Sequence, residues 1–183
     1  MRPLLKRAVF LDRDGVINSA VVRDGKPYPP HSLDELKILP GVPEALARLR
    51  AAGFVNVIVT NQPDVATGMQ RREVVESMHE LLLSRLPIDT VKVCYHAAAA
   101  DCACRKPRPG MLFEAASELG IDLAASFLVG DRWRDVGAGQ AAGCQTFFID
   151  AGYSEKRPGK PYVAVKSLPE AVDRILLPAT CKS

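Results

Sequence analysis

At 183 residues with 48% hydrophobic content, the chain has the length of one domain and enough apolar side chains for a substantial core. A net charge of +3 is small, and the basic residues are scattered rather than striped, which argues against nucleic acid or an acidic membrane surface as a partner. The N-terminus has positive charge but no long apolar stretch and no small-residue cleavage site, so no signal peptide is expected, and no apolar run approaches membrane-spanning length.

In chain order, Val9 to Asn18 reads Val-Phe-Leu-Asp-Arg-Asp-Gly-Val-Ile-Asn. The apolar run predicts a buried strand whose carboxyl end opens into a loop carrying Asp12 and Asp14. The segment from Asn18 to Pro40, rich in Pro, Asp and Gly, predicts an excursion over the mouth of a site, too short for a lid domain. Pro43 sits at a first helical position, Leu46 and Leu49 share a face and Gly53 stops the chain, so a helix is expected over 42–52. Phe54 to Thr60 reads as a strand. Apolar residues at 74, 75, 78, 81 and 82 form a helical stripe over 70–86. Thr90 to Tyr95 alternates as a strand, Met111 to Leu119 is a helix closed by Gly120, and Ser126 to Val129 is a strand ending in Gly130-Asp131. A short helix is expected over 135–142, a strand over 146–149, and a last helix to Leu177 opened by the Ser167-x-x-Glu170 capping box. Strand and helix alternate throughout, which predicts an α/β fold with a doubly wound, mainly parallel sheet.

Four polar signals fall at the carboxyl ends of those strands: Asp12 with Asp14, Thr60 with Asn61, Lys106, and Asp131 with Asp135. All carboxyl ends of a parallel sheet share one edge, where ligands bind, so these residues can converge although more than a hundred positions separate the first from the last. Two carboxylates at i, i+2 repel one another and are costly to desolvate without a cation or proton, which points to a divalent metal. A plain charged turn is the alternative for Asp-x-Asp-Gly alone, because Asp and Gly are common turn formers. Carboxylates, a hydroxyl, an amide and a lysine together meet the needs of phosphoryl transfer, with a carboxylate as nucleophile. A carboxylic acid here that gives up a proton must first hold one, which for Asp14 an apolar wall of Val16 and Ile17 would favour. Asp135 stays open between helix cap, metal ligand and partner of Lys106.

A second constellation is Cys94-x-His96 followed by Cys102-x-Cys104. Residues at i, i+2 on extended chain point to one side, so each pair can grip one ion, giving a closed tetrahedral Cys₃His zinc site. The alternative is three unlinked thiols and a surface imidazole. So dense a group of thiols suits a reducing compartment, and the cytoplasm is the expected location. Cys144 reads as a core thiol and Cys181 as a tail residue. His31 and His79 are expected to be exposed, and Met69, Met78 and Met111 to pack.

Phe10 to Asn18, Val59-Thr60-Asn61-Gln62, Arg105-Lys106-Pro107 and Val129-Gly130-Asp131-x-x-x-Asp135 resemble, in order, the four motifs of the haloacid-dehalogenase-like (HAD) phosphatases. Within that superfamily the chain is most similar to the heptose 1,7-bisphosphate phosphatases and the related histidinol phosphatases. The resemblance implies magnesium-dependent hydrolysis of a small phosphate ester, through an aspartyl-phosphate on Asp12. Asp14 would protonate the leaving oxygen and then activate water. Asp12, the Asp14 backbone carbonyl and Asp131 would hold magnesium. Thr60 and Lys106 would steady the phosphoryl group, and Asn61 and Arg105 would contact substrate. A structural zinc in the Cys94, His96, Cys102 and Cys104 loop would aim Arg105 and Lys106.

Two departures from the family pattern touch specificity. Pro63-Asp64 stands where Ser-Gly usually follows Thr-Asn-Gln, and the stretch after Asn18 lacks the usual Asp and Gly-Tyr. With no room for an inserted cap, an open mouth is expected, with loops setting specificity, and the chain is expected to act as a monomer. Two other functions fit part of the pattern: a phosphate-accepting receiver module, disfavoured by the Asp-x-Asp order, and a non-catalytic zinc-dependent interaction domain.

Overall fold

The apolar run before Asp12 forms β1 (Arg7–Leu11), whose last four residues are all buried. Such a strand needs cover on both faces, and its alternation provides the plan. Val9 and Leu11 join one apolar cluster with Leu46, Leu49 and Val172, whereas Ala8 and Phe10 join another with Met111, Leu112 and Ala138. The computed structural model describes residues 5–177.

After β1 come β2 (Val21–Arg23), β3 (Lys26–Tyr28), α1 (Val42–Ala51), β4 (Phe54–Asn61), α2 (Arg72–Arg85), β5 (Thr90–Cys94) and α3 (Gly110–Leu119). Then follow β6 (Phe127–Gly130), α4 (Trp133–Ala142), β7 (Gln145–Ile149), β8 (Val163–Val165) and α5 (Leu168–Leu176). The main sheet has the order β5-β4-β1-β6-β7-β8, and every pairing in it is parallel. The doubly wound α/β expectation therefore holds. The chain runs outward from β1 through β4 to β5, then crosses back to lay β6 on the other side of β1. That reversal makes the carboxyl end of β1 the switch point, where flanking loops diverge and leave a crevice.

Local signals account for most element ends. Pro43 lies in the first turn of α1 and Gly53 follows it at φ +83°, while α3 closes on Gly120 at φ +67°. The Ser167 side chain accepts from the Glu170 backbone N–H to start α5. Two elements were not expected. Within the 18–40 excursion β2 and β3 pair as an antiparallel hairpin, turned by Asp24 and Gly25 at φ +50° and +72°, the backbone an Asp-Gly hairpin turn requires. The three-residue β8 adds an edge strand beside β7. No helix among the described residues is long and apolar enough to cross a membrane.

Ser126, expected to open a strand, instead ties two. It is fully buried, and its hydroxyl accepts from the Ala8 backbone N–H at 2.9 Å and donates to the Asp122 carbonyl. Ser126→Ala leaves that N–H buried without a partner, so a loss of about 1–3 kcal/mol in unfolding free energy is expected. Urea denaturation reads it, and an unchanged midpoint would contradict the assignment.

Candidate functional site

At the switch point the predicted residues converge. Lys106 is 2% exposed, and its ammonium donates to Asp12 Oδ1 at 2.8 Å, Asp135 Oδ1 at 2.6 Å and the Val59 carbonyl at 2.7 Å. Asp135 is thus a partner of Lys106. It is also a cap, since its Oδ2 accepts from the Arg132 backbone N–H at 2.9 Å where α4 begins. Asp131 receives the Tyr153 hydroxyl on Oδ2 at 2.8 Å, while its Oδ1 is buried with no partner among the described residues. Two glycines permit this crowding. A Cβ on Gly15, at φ +90°, would lie 1.9 Å from Asp131 Oδ2, and one on Gly130 would lie 2.1 Å from Asp135 Cβ.

Burial, and then the Asp135 charge, push the Asp12 carboxyl up to about 6. Burial, with Asp12 and Asp135, carries Asp131 well above the usual carboxylate range. Burial pulls the Lys106 ammonium down, but Asp12 and Asp135 outweigh it and its net shift is upward. Carboxylate oxygens of Asp12, Asp131 and Asp135 all lie within 4.8 Å of one another. Three buried carboxylates against one ammonium leave two negative charges uncompensated, and Asp131 Oδ1 has no partner among the described residues. An all-oxygen donor set with that charge fits a hard divalent cation such as magnesium.

Beside this floor sits Asp14. The apolar wall expected from Val16 and Ile17 is absent, because both are fully buried in the core. Donors surround the carboxylate instead: Arg13 through two nitrogens at 2.9 and 3.1 Å, Asn18 Nδ2 at 2.9 Å and Gln62 Nε2 at 2.9 Å. Gln62 also donates to Thr60 Oγ1 at 2.9 Å, which joins the predicted hydroxyl to the same network. Asn61, expected to touch substrate, lines the cleft but clamps the Lys106 backbone, accepting its N–H at 3.1 Å and donating to its carbonyl at 3.2 Å.

His79 was expected on the surface and is instead 6% exposed, its Nε2 3.0 Å from Arg13 Nη1. A guanidinium only donates, so Nε2 accepts and the ring proton sits on Nδ1. Met69 is exposed rather than packed, whereas Met78, Met111 and Cys144 are buried as expected. His31 is half-buried, and Cys181 lies outside the described residues. Arg13, Gln62, His79 and Tyr153 were the site residues missed. The signal for His79 was its place on α2, one turn from Val75 and beside Met78, on the apolar stripe.

The cysteine–histidine group also assembles. Cys94 Sγ lies 3.0 Å from Cys104 Sγ and 3.8 Å from Cys102 Sγ, and His96 Nδ1 lies 3.2 Å from Cys104 Sγ. Zinc–sulfur bonds of about 2.3 Å imply tetrahedral edges of roughly 3.8 Å, so one ion suits the cluster. Burial, with Cys94 and Cys102, pushes the Cys104 thiol up to about 12. The loop is tied to the cleft, because Arg105 donates to the His96 carbonyl at 3.2 Å and Arg108 to the Cys102 carbonyl at 2.8 Å.

Above the floor is a cleft of about 230 Å³. Lys26 and Tyr28 of the β2–β3 hairpin form one wall, with Pro63, Asp64, Arg105, Arg132, Arg134 and Glu155 around the rest. The excursion after Asn18 therefore does reach the mouth.

The His79 contact yields a pH prediction. Burial, and then Arg13, hold its imidazole down at about 3 against an ordinary 6.5. Between those values the unfolded chain takes a proton that the folded chain refuses. The stabilising contribution is therefore complete above pH 6.5 and is lost as pH falls below it. His79→Gln removes the titration, so the stability advantage of the wild type over this variant should shrink below pH 6.5, approaching about 1.4 kcal/mol per pH unit. Urea unfolding at pH 7.5, 6 and 5 checks this, and a gap independent of pH would contradict it.

Comparisons with known proteins identify the family. A family model described as HAD-hydrolase-like matches residues 103–171. The D-glycero-beta-D-manno-heptose-1,7-bisphosphate 7-phosphatase of Pasteurella multocida is 37% identical over 168 residues, which cover 85% of this chain and 88% of that protein. Its counterpart from Escherichia coli K12 is 37% identical over 166 residues, covering 84% and 81%. Among solved structures, the D,D-heptose 1,7-bisphosphate phosphatase of B. bronchiseptica, complexed with magnesium and phosphate, matches with a TM-score of 0.80 at 30% identity, over 93% of this chain and 98% of that one. The chain therefore belongs to the heptose-1,7-bisphosphate phosphatase family of haloacid-dehalogenase-like hydrolases.

Proposed function

We propose that this hydrolase is a magnesium-dependent phosphatase that removes the 7-phosphate of a heptose 1,7-bisphosphate. The observation that carries the reading is the Lys106 ammonium, held between Asp12 and Asp135 on a buried floor beside Asp131, whose Oδ1 has no partner among the described residues. Asp12 and Asp131, with the Asp14 backbone carbonyl, would hold magnesium, which when bound offsets the negative charge of floor and phosphate.

The remaining chemistry lies with the chain's own residues. An Asp12 carboxylate oxygen attacks phosphorus, the bond from phosphorus to the ester oxygen breaks, and Asp14, which must enter this step as the neutral carboxylic acid, delivers its proton to that oxygen. The resulting carboxylate of Asp14 then takes a proton from water, the water oxygen attacks phosphorus, and the Asp12–phosphorus bond breaks to release inorganic phosphate. Lys106 and Thr60 steady the phosphoryl oxygens, and Lys106 offsets charge on them as it does on Asp12. Arg13, Asn18 and Gln62 aim Asp14.

The rim supports a substrate with a second anionic group. Arg105 and Arg134 line the cleft, and no carboxylate is ion-paired to either among the described residues. Burial, and then Arg132 and Arg105, hold the Arg134 guanidinium below its ordinary range, a crowding that an added phosphate would relieve. The cytoplasm and a monomeric state complete the reading: Cys94, Cys102, Cys104 and Cys144 are free thiols, and one chain supplies every group of the site.

Phosphate release from heptose 1,7-bisphosphate is expected with magnesium, to stop on chelation and to return when magnesium is restored. Asp12→Asn should lower kcat by at least about 10³-fold, as expected when a nucleophile is removed. A panel including histidinol phosphate tests the substrate. Turnover of histidinol phosphate alone would reassign it, and zinc binding with no turnover of any ester would remove the phosphatase reading.

For the proposed zinc at Cys94, His96, Cys102 and Cys104, elemental analysis should find one ion per chain. Cys104→Ser should lose it and unfold at lower temperature, and the phosphatase activity should fall although no ligand of the proposed magnesium is changed. Full activity in a zinc-free chain would contradict a role in aiming Lys106.

A further inference from the structure

Asp131 has its two oxygens in unlike situations. Oδ2 accepts the Tyr153 hydroxyl at 2.8 Å, and Oδ1 is buried with no partner among the described residues. Tyr153 is far from Asp131 in sequence position but not in the fold, since it sits in the loop that leaves the carboxyl end of β7, two strands from β1. That loop is fastened at three successive residues. Tyr153 meets Asp131, the Ser154 backbone N–H donates to the Gly25 carbonyl of the hairpin turn at 2.8 Å, and Glu155 pairs with Arg132. Contact at Gly25 is close enough that a Cβ there would lie 2.4 Å from Ser154 Oγ.

We propose that Tyr153 is a positioning residue for the divalent cation: its hydroxyl holds Asp131 Oδ2, so that Asp131 offers Oδ1 alone to the ion. This rests on the magnesium reading of the floor given above. A carboxylate without that contact can rotate about its Cβ–Cγ bond and present either or both oxygens. Fixing one oxygen sets the number and direction of donors, a strict requirement for a cation that prefers octahedral geometry. A neutral donor suits the task. An arginine or lysine in its place would neutralise Asp131 and weaken its hold on the cation, whereas a phenol orients the carboxylate and leaves its charge in place. Phenylalanine keeps the ring and removes only the hydroxyl.

The test uses the full-length, zinc-loaded chain stripped of magnesium. Magnesium is titrated calorimetrically into the wild type and Tyr153→Phe, and the same proteins are assayed for phosphatase activity across magnesium concentrations. The variant should bind magnesium about tenfold or more weakly, the usual cost of losing a hydrogen bond that orients a metal ligand. Its half-saturating magnesium in the assay should rise in parallel, with kcat at saturating magnesium within about twofold of the wild type. Thermal unfolding of the zinc-loaded, magnesium-free proteins, recorded for both, identifies any general loss of structure, so the affinities are compared well below each transition. Magnesium binding within twofold of the wild type would overturn the proposal, as would a lower kcat at unchanged affinity. If the wild type binds magnesium but hydrolyses no ester, the phosphatase reading fails while the affinity comparison still decides the role of Tyr153.

Discussion

The ammonium of Lys106 is the group on which the floor of the cleft depends. It lies between Asp12, from the end of β1, and Asp135, from the start of α4, and its third proton goes to the backbone of β4. Three elements far apart in sequence are thus joined at one buried charge. Removing it would leave two carboxylates buried without their cation, a situation that costs several kcal/mol or forces protonation. The balance is nonetheless incomplete, because Asp131 adds a third carboxylate with no cation of its own. Burial first, and then that excess of negative charge, displaces Asp12 and Asp131 upward. A divalent ion would offset the excess, returning the floor to neutrality and drawing the Asp12 carboxyl back towards its usual range. Lysine and metal are complementary here: either alone leaves negative charge that the burial does not tolerate.

Lys106 in turn is aimed by its neighbours. Its backbone is gripped from β4 by the two-way amide contact of Asn61. The preceding residue is bound to His96, and the turn after it is fastened to the cysteine loop by Arg108 and by the Gly110 N–H on the Ala103 carbonyl at 3.0 Å. A Cβ on Gly110 would lie 2.4 Å from that same oxygen, so the loop and the start of α3 are pressed together. An ion at Cys94, His96, Cys102 and Cys104 would cross-link the end of β5 to this turn. Its effect on chemistry would be transmitted through main chain, with no contact to substrate.

Much of this was legible in the sequence, for a physical reason. Parallel strands bring all their carboxyl ends to one edge, so a polar residue just past an apolar run is already a statement about position in space. Asp12, Thr60 and Asp131 were placed that way, with Asp135 a helical turn further on; Lys106, which follows the loop after β5, was placed by its Arg-Lys-Pro motif, and the Cys/His loop by its i, i+2 spacing. What escaped is what depends on tertiary approach. Gln62 meets Asp14 only because the loops after β1 and β4 pack together, and Arg13 beside Asp14 meets His79 of α2. Tyr153 reaches Asp131 from a loop with no periodic pattern. The apolar wall assigned to Val16 and Ile17 failed because a residue type does not disclose which way a loop side chain turns, and both turn into the core. The hairpin was hidden by its brevity and by Pro27 in its second strand, although Asp24-Gly25 was a usable turn signal.

With no inserted cap domain, the cleft draws its walls from these same short pieces. The β2–β3 hairpin supplies Lys26 and Tyr28, and the loop after β7 supplies Glu155, which pairs with Arg132, while Lys26, Arg105 and Arg134 line the cleft without an ion pair among the described residues. Asp64, present where a glycine is usual in the family, adds a carboxylate to the lining. The hairpin and the loop are joined at Ser154 and Gly25, and the residue before Ser154 holds Asp131. The wall that would sort substrates and the carboxylate that would hold the cation therefore share one strap of three residues. A sequence change that moved the hairpin would also move the support of Asp131, so the shape of the cleft and the orientation of that carboxylate are mechanically linked.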